Sequence, residues 1–240
     1  MKSILWCISF VIRLLAIVPD LYKADRLAKK GEFKARDELM YKLSKKWGRE
    51  AIETTGSTIE IIGSELIPED EAVVFVGNHQ SLLDIPLLTG YLKKHTSFIA
   101  KKELNKIPIL IIGIRNMNSI FIDRGNVRQS LRAINEGAKN IKQGYSYIIF
   151  PEGTRSTNGE MLPFKSGALK LATKSKAPII PITLVGVNQI MPKGTLKVNK
   201  VNIKVIISEP IYIDKENSKD TKALSDKVEG IIRNNYVKYK

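Results

Sequence analysis

The chain of 240 residues reads as an α/β fold, with a mixed, mostly parallel sheet covered by helices and an apolar helical segment ahead of it. Three observations predict this. Short apolar runs at residues 72–76, 147–150, 179–187 and 201–207 alternate with stretches of helical period. Residues 127–142 carry Val127, Leu131, Ile134, Ala138 and Ile141 at four-three-four-three spacing, and Gly144 ends the pattern. Two polar motifs each follow an apolar run directly. They are Asn78-His79-Gln80-Ser81-Leu82-Leu83-Asp84 and Phe150-Pro151-Glu152-Gly153-Thr154-Arg155-Ser156. In open parallel sheets, sites lie beyond the carboxyl ends of strands, which is where both motifs fall.

The elements follow in order. Residues 4–18 are apolar except for Ser9 and Arg13. A helix of about 15 residues is roughly 22 Å long, short of the roughly 30 Å of a bilayer core. No small-x-small cleavage site follows, and Pro19-Asp20 is expected to end the run. Residues 22–36 are densely basic, and a second helix is expected over 36–54 with Leu39, Leu43 and Trp47 on one face. Two short helices with apolar faces and basic flanks read as a shallow anchor in one leaflet, with Lys and Arg stems reaching the headgroups. A true span and a helical hairpin packed on the domain are the other arrangements that fit. Trp6 and Trp47 suit ordinary packing as well as interfacial anchoring. The segment 1–56 is therefore set apart from the domain 57–240, which carries both motifs.

Within that domain, residues 85–92 read as a helix and 97–100 and 119–122 as short strands, while 109–114 fit either state by length. Residues 167–174 form a short helix. A terminal helix covers 218–236 with Leu224, Val228 and Ile231 on one face, and residues 236–240 are expected to fray.

The 39 Lys plus Arg against 24 Asp plus Glu leave a net charge of +15. Such a surface attracts anionic lipid, nucleic acid or an acidic substrate. No zinc-finger spacing, aromatic RNA-binding strand or helix-turn-helix pattern is present, so the apolar amino-terminal segment decides for an anionic membrane surface over nucleic acid. Cys7 is the single cysteine, which excludes a disulfide framework and a cysteine-based metal cluster.

His79 and His95 are the only histidines, so the choice of a histidine base is narrow. A five-residue offset does not align two groups on a regular helix. It brings them together if His79 lies in the turn after the strand and Asp84 in the first turns of the next helix. The carboxylate then accepts the Nδ1 proton and leaves Nε2 as a base. A purely structural pair is the competing reading. No G-x-S-x-G elbow supplies a nucleophile, so direct activation of a substrate hydroxyl is favoured, with Ser81 as a minor candidate nucleophile. In the second motif Gly153 permits a tight turn whose N–H groups suit an anion, and Arg155 suits phosphate. Glu152 orients Arg155 or a substrate hydroxyl; a local Glu152–Arg155 ion pair in a plain turn is the bland alternative. Lys101, Lys102 and Arg124 follow short strands and read either as anion ligands or as solvated charge. Residues 165–167 open a helix whose N–H groups suit an anion.

Together these residues resemble the bacterial lysophosphatidic acid acyltransferases of the glycerolipid acyltransferase family. The family's N-H-x-S-x-x-D motif, also written H-x(4)-D, is matched by Asn78, His79, Ser81 and Asp84. Its arginine-ended strand is matched by residues 120–124, although Asn118-Ser119 replace the glycine that often precedes it. F-P-E-G-T-R-S is matched without departure at 150–156, and the block with a central proline by Ile180-Pro181-Ile182. Lys101 fits the lysine that precedes E-L in that family. Four blocks in order over residues 78–181 make the resemblance specific.

The resemblance implies that His79 deprotonates the sn-2 hydroxyl of lysophosphatidic acid, with Asp84 orienting the base. The donor would be acyl-CoA or acyl-carrier protein, and phosphatidic acid the product. Lys101, Arg124 and Arg155 would bind the phosphate, with Glu152, Gly153 and Thr154 forming the turn, and backbone N–H groups would steady the oxyanion. It implies no metal and no bound cofactor. It places the protein at the cytoplasmic face of a bacterial inner membrane. The nearest alternatives are the same chemistry on glycerol 3-phosphate or another lysophospholipid, a membrane-bound thioester hydrolase, and a basic membrane-binding protein without catalysis.

Overall fold

The computed structural model describes residues 2–123, 125–156, 160–192 and 194–240. The chain opens with α1 (Lys2–Ala16), α2 (Val18–Lys29) and α3 (Phe33–Glu53), then β1 (Thr58–Ile62), β2 (Val74–Gly77) and α4 (Asp84–Tyr91). It continues through β3 (Thr96–Lys101), α5 (Pro108–Asn116), β4 (Ile120–Ile122), α6 (Val127–Lys142) and β5 (Ser146–Ile149). The last elements are α7 (Lys170–Ser175), β6 (Ile179–Val185), α8 (Val187–Ile190), β7 (Asn202–Ile207) and α9 (Thr221–Tyr239). Sequence reading and structure agree on α6 residue for residue. Residues 109–114, open between helix and strand, belong to α5, which has Pro108 in its first turn where a missing N–H costs nothing.

The strands form one seven-stranded sheet in the order β1-β7-β6-β2-β5-β3-β4. From β6 to β4 all neighbours are parallel; β7 runs antiparallel to β6, and β1 lies parallel to β7. Side chains alternate across the sheet. Phe75, Ile148 and Ile182 point into a core with Leu87 of α4 and with Trp6 and Ile52. Val74, Val76, Tyr147 and Ile149 point into a second core with Leu171 of α7 and Val228 of α9. The five parallel strands bring the ends of β2, β5, β3 and β4 to one edge.

Helix α3 lies on α4 at backbone distance. A Cβ on Gly48 would come within 2.4 Å of the Pro86 carbonyl oxygen, and one on Gly90 within 2.6 Å of the Arg49 nitrogen. Only glycine permits that approach at either position. Arg49 Nε caps the contact by donating to the Gly90 carbonyl at 2.9 Å. The amino-terminal helices are thus fixed to the helix that begins at Asp84.

Four expectations change. The first helix does stop just before Pro19-Asp20, at Ala16, but a further helix that was not expected, α2, follows at once, with Pro19 at its start, where the missing N–H has no helical partner to lose. Val127 is 85% exposed and Leu131 is exposed as well, although Ile134, Ala138 and Ile141 are buried as expected. The three-residue β4 ends short of the first turn of α6, leaving those two side chains without a strand beneath them. On α9 it is Ile232 rather than Ile231 that is fully buried. Residues 236–240 do not fray as expected, because α9 continues to Tyr239 with Tyr236 bonded to the core of the molecule.

Candidate active site

β2 ends at Gly77, and the Asn78 side chain extends its pairing. Asn78 Nδ2 donates to the Leu184 carbonyl at 2.9 Å, and the Leu184 N–H donates to Oδ1 at 2.7 Å. His79 therefore leaves the sheet at a defined point. Asp84 is the first residue of α4, fully buried, and its Oδ2 takes three contacts. His79 Nδ1 lies 2.7 Å away, and the N–H groups of Gln80 and Ser81 donate at 2.7 and 2.9 Å. A negative charge at a helix start, with two amides aimed at it, is favoured electrostatically. The imidazole stacks on Phe150 at 4.3 Å between centroids and 9° between planes, and its side chain stays 19% exposed. With Nδ1 held by Asp84, Nε2 is the nitrogen left for proton transfer.

The second motif closes on the first. Glu152 is 2% exposed; Oε1 accepts the His79 N–H at 2.7 Å and Oε2 the Leu162 N–H at 2.9 Å. The Ser156 N–H donates to the His79 carbonyl at 3.2 Å. Burial pushes the Glu152 carboxyl above its ordinary range, opposed by the His79 and Leu162 amides. Among the described residues Glu152 forms no ion pair with Arg155; its two oxygens clamp two backbone segments instead. Gly153 has φ +73°, and its N–H bonds to the Phe150 carbonyl at 3.1 Å. The Lys165 Nζ lies 3.2 Å from where a Gly153 Cβ would stand, which brings an ammonium over the turn.

His79, Asp84, Glu152 and Gly153 thus form one connected unit, with Thr154 exposed and Arg155 half-buried beside it. Lys101 ends β3 at the same sheet edge and pairs at the surface with Glu103 at 3.2 Å. Lys102 pairs with Asp123 at 3.0 Å and holds that carboxyl below its ordinary range. Arg124 lies outside the described residues. His95, the other histidine, precedes β3 at the opposite edge, where burial lowers its basicity.

Sequence reasoning left four contributors to this site unassigned: Gln80, Tyr236, Glu229 and Arg233. Gln80 spans the first motif and the carboxyl-terminal helix: Oε1 accepts the Val187 N–H at 3.1 Å, and Nε2 donates to the Tyr236 hydroxyl at 3.3 Å. Glu229 Oε2 accepts the Phe164 N–H at 2.9 Å, and Arg233 donates to the Met161 carbonyl at 3.2 Å. No local pattern could have linked Gln80 to a tyrosine 156 residues away.

Comparison with known proteins places the chain among acyltransferases. The sequence pattern of the family described as Acyltransferase matches residues 58–185. The chain is 33% identical over 196 residues to a probable 1-acyl-sn-glycerol-3-phosphate acyltransferase of Mycoplasma pneumoniae, covering 77% of this chain and 73% of that one. It is 38% identical over 155 residues to a chloroplastic 1-acyl-sn-glycerol-3-phosphate acyltransferase of Brassica napus, covering 64% of this chain. It spans about half the length of such plant relatives, 45% in that case. The crystal structure of the 1-acyl-sn-glycerophosphate (LPA) acyltransferase PlsC from Thermotoga maritima superposes with a TM-score of 0.72 at 30% identity, covering 94% of this chain and 95% of that one.

Proposed function

Because the chain belongs to the acyltransferase family, we propose that it moves a fatty acyl group from a thioester to the sn-2 hydroxyl of 1-acyl-sn-glycerol 3-phosphate. The product is phosphatidic acid. The observation that carries the mechanism is the 2.7 Å contact between His79 Nδ1 and the buried Asp84 carboxylate. Nε2 accepts the hydroxyl proton as the acceptor oxygen attacks the thioester carbonyl. Asp84, steadied by two amides, stabilises the imidazolium that forms. The tetrahedral intermediate then expels the thiolate, which takes the proton back from Nε2 and leaves as free thiol. Backbone N–H groups near the two turns steady the oxyanion.

Arg155 and the ammonium of Lys165 hold the acceptor phosphate, joined by Lys101 at the sheet edge and, as the resemblance implies, by Arg124. Glu152 and Gly153 set the turn that leads to Arg155, and Thr154 borders it. The reaction uses acyl-CoA or acyl-carrier protein as co-substrate and calls for no metal or bound cofactor. Residues 1–56 bring the site to an anionic membrane surface, the cytoplasmic face of a bacterial inner membrane. Support comes from α1, whose Ile4, Leu5, Ile8, Val11, Ile12 and Leu15 are each 50–59% exposed along one face. The opposite face is docked through Trp6 Nε1 to Thr54 at 3.1 Å and Arg13 to Glu50 at 2.7 Å. A helix fixed by one face and apolar on the other suits a single leaflet.

Thiol release from palmitoyl-CoA and from palmitoyl-acyl-carrier protein, in vesicles with lysophosphatidate, glycerol 3-phosphate or no acceptor, tests this. Release that needs lysophosphatidate and is abolished by His79→Ala is expected. Release with glycerol 3-phosphate alone would move the acceptor one acylation earlier. Release without any acceptor would make the protein a thioester hydrolase.

A further inference from the structure

Helix α9 lies outside both motifs, yet three of its side chains reach the loops that build the site. Tyr236 accepts from Gln80 Nε2 at 3.3 Å. The Gln80 amide cannot turn over, because Oε1 is taken by the Val187 N–H at 3.1 Å. The backbone N–H of the same Gln80 donates to Asp84 Oδ2 at 2.7 Å, the oxygen that also holds His79 Nδ1. One turn and two turns earlier on α9, Arg233 and Glu229 hold Met161 and Phe164, flanking the Leu162 N–H that binds Glu152. The helix is itself fixed to the sheet, with Asn235 Nδ2 donating to Ser208 Oγ at 2.9 Å.

We propose that Tyr236 is a positioning residue for the His79–Asp84 pair, acting through the Gln80 side chain. The inference rests on the acyltransferase reading for its consequence in catalysis but not for its structural content. Gln80 is buried, so its amide must be satisfied on both sides to hold one rotamer. Removing the Tyr236 oxygen leaves Nε2 without that acceptor, and Gln80 relaxes to recover one. Its backbone N–H moves with it, loosening one of the two amides that hold Asp84 Oδ2 under the imidazole. Burial raises the Tyr236 hydroxyl above its ordinary range, which keeps it neutral while it serves Gln80.

Tyr236→Phe keeps the ring and its packing, so the fold is retained, and kcat falls about tenfold with KM for both substrates little changed. Tyr239→Phe, on the same helix beside Lys204, keeps native kcat. Gln80→Met lowers kcat as well, and the double variant Gln80→Met/Tyr236→Phe loses no more than Gln80→Met alone, since the two act in series. Losses that multiply would overturn the proposal, as would a native kcat in Tyr236→Phe. Amide hydrogen exchange in the segment 78–84, measured without substrate, supplies a second readout: exchange speeds up in Tyr236→Phe and stays native in Tyr239→Phe. Unchanged exchange in Tyr236→Phe would sink the idea. A native chain that releases no thiol would instead remove the acyltransferase reading and leave the exchange result standing by itself.

Discussion

Glu152 Oε1 accepts the backbone N–H of His79 at 2.7 Å, joining two motifs that lie 73 residues apart. The acid of the second motif therefore reaches the histidine of the first through its main chain, not its ring. The parallel pairing of β2 with β5 makes this possible, because it sets the two strand ends side by side. Oε2 carries the same contact outward to Leu162.

Glu152→Gln presents an NH2 group to one of those two amides, and the lost acceptor lowers Tm by about 5 °C. The effect depends on pH. Burial holds the Glu152 carboxyl above its ordinary 4.5, so the folded chain binds this proton more tightly than the unfolded one. That contribution is complete below 4.5 and is lost as pH rises through the folded value. The Tm gap between the native protein and Glu152→Gln should narrow as pH is raised from 4.5, measured by calorimetry. A gap that widens over that range would contradict the assignment.

Asp84→Asn keeps the volume of a side chain that has no exposure but replaces the carboxylate under His79. The amide cannot stabilise an imidazolium, and one of its orientations favours the wrong tautomer. Steady-state thiol release should show kcat down about 1,000-fold with the acceptor KM nearly unchanged. A variant that retained a tenth of native kcat would remove the pair from the mechanism.

Gly153→Ala forces φ +73° on a residue with a Cβ, at about 1–2 kcal/mol, or a Tm lower by about 3–6 °C. The new methyl also meets Lys165 Nζ at 3.2 Å, but that is the far end of a flexible side chain. Adding Lys165→Ala should restore none of the lost Tm. Recovery in the double variant would assign the cost to the contact instead of the backbone.

On α1, Ile8→Asp combined with Ile12→Asp places charge on the exposed face and should weaken retention on anionic vesicles by about tenfold per residue. Tm should stay within about 2 °C, as for other surface changes. Trp6→Ala, on the docked face, should do the reverse: it lowers Tm and leaves the vesicle-facing side chains in place. Flotation with vesicles alongside thermal melts separates the two faces, and equal effects from both would refute the division.

Much of this molecule is written locally. The period of α6 marked its ends because amphipathic spacing is a property of neighbouring residues. The strand runs before His79 and Glu152 were visible for the same reason, since fully buried parallel strands must be continuously apolar. His79 and Asp84 were legible as a pair once a turn was placed between them. β1 was not, because Thr58–Ile62 is only partly buried and takes its strand identity from pairing with β7, more than 140 residues later.

The sequence by itself determined which residue types stand after which strands, and so the groups at hand: one histidine, one carboxylate partner, a tight turn and nearby cations. Tertiary structure alone decided how they are joined. Glu152 became a clamp instead of a partner for Arg155 because sheet order set it beside the His79 amide. Tyr236 moved from an expected frayed end to a hydrogen bond with Gln80 because α9 packs back on the sheet. Local patterns encode which face of an element is buried; contacts between distant segments depend on the order of strands, which no window of neighbouring residues contains.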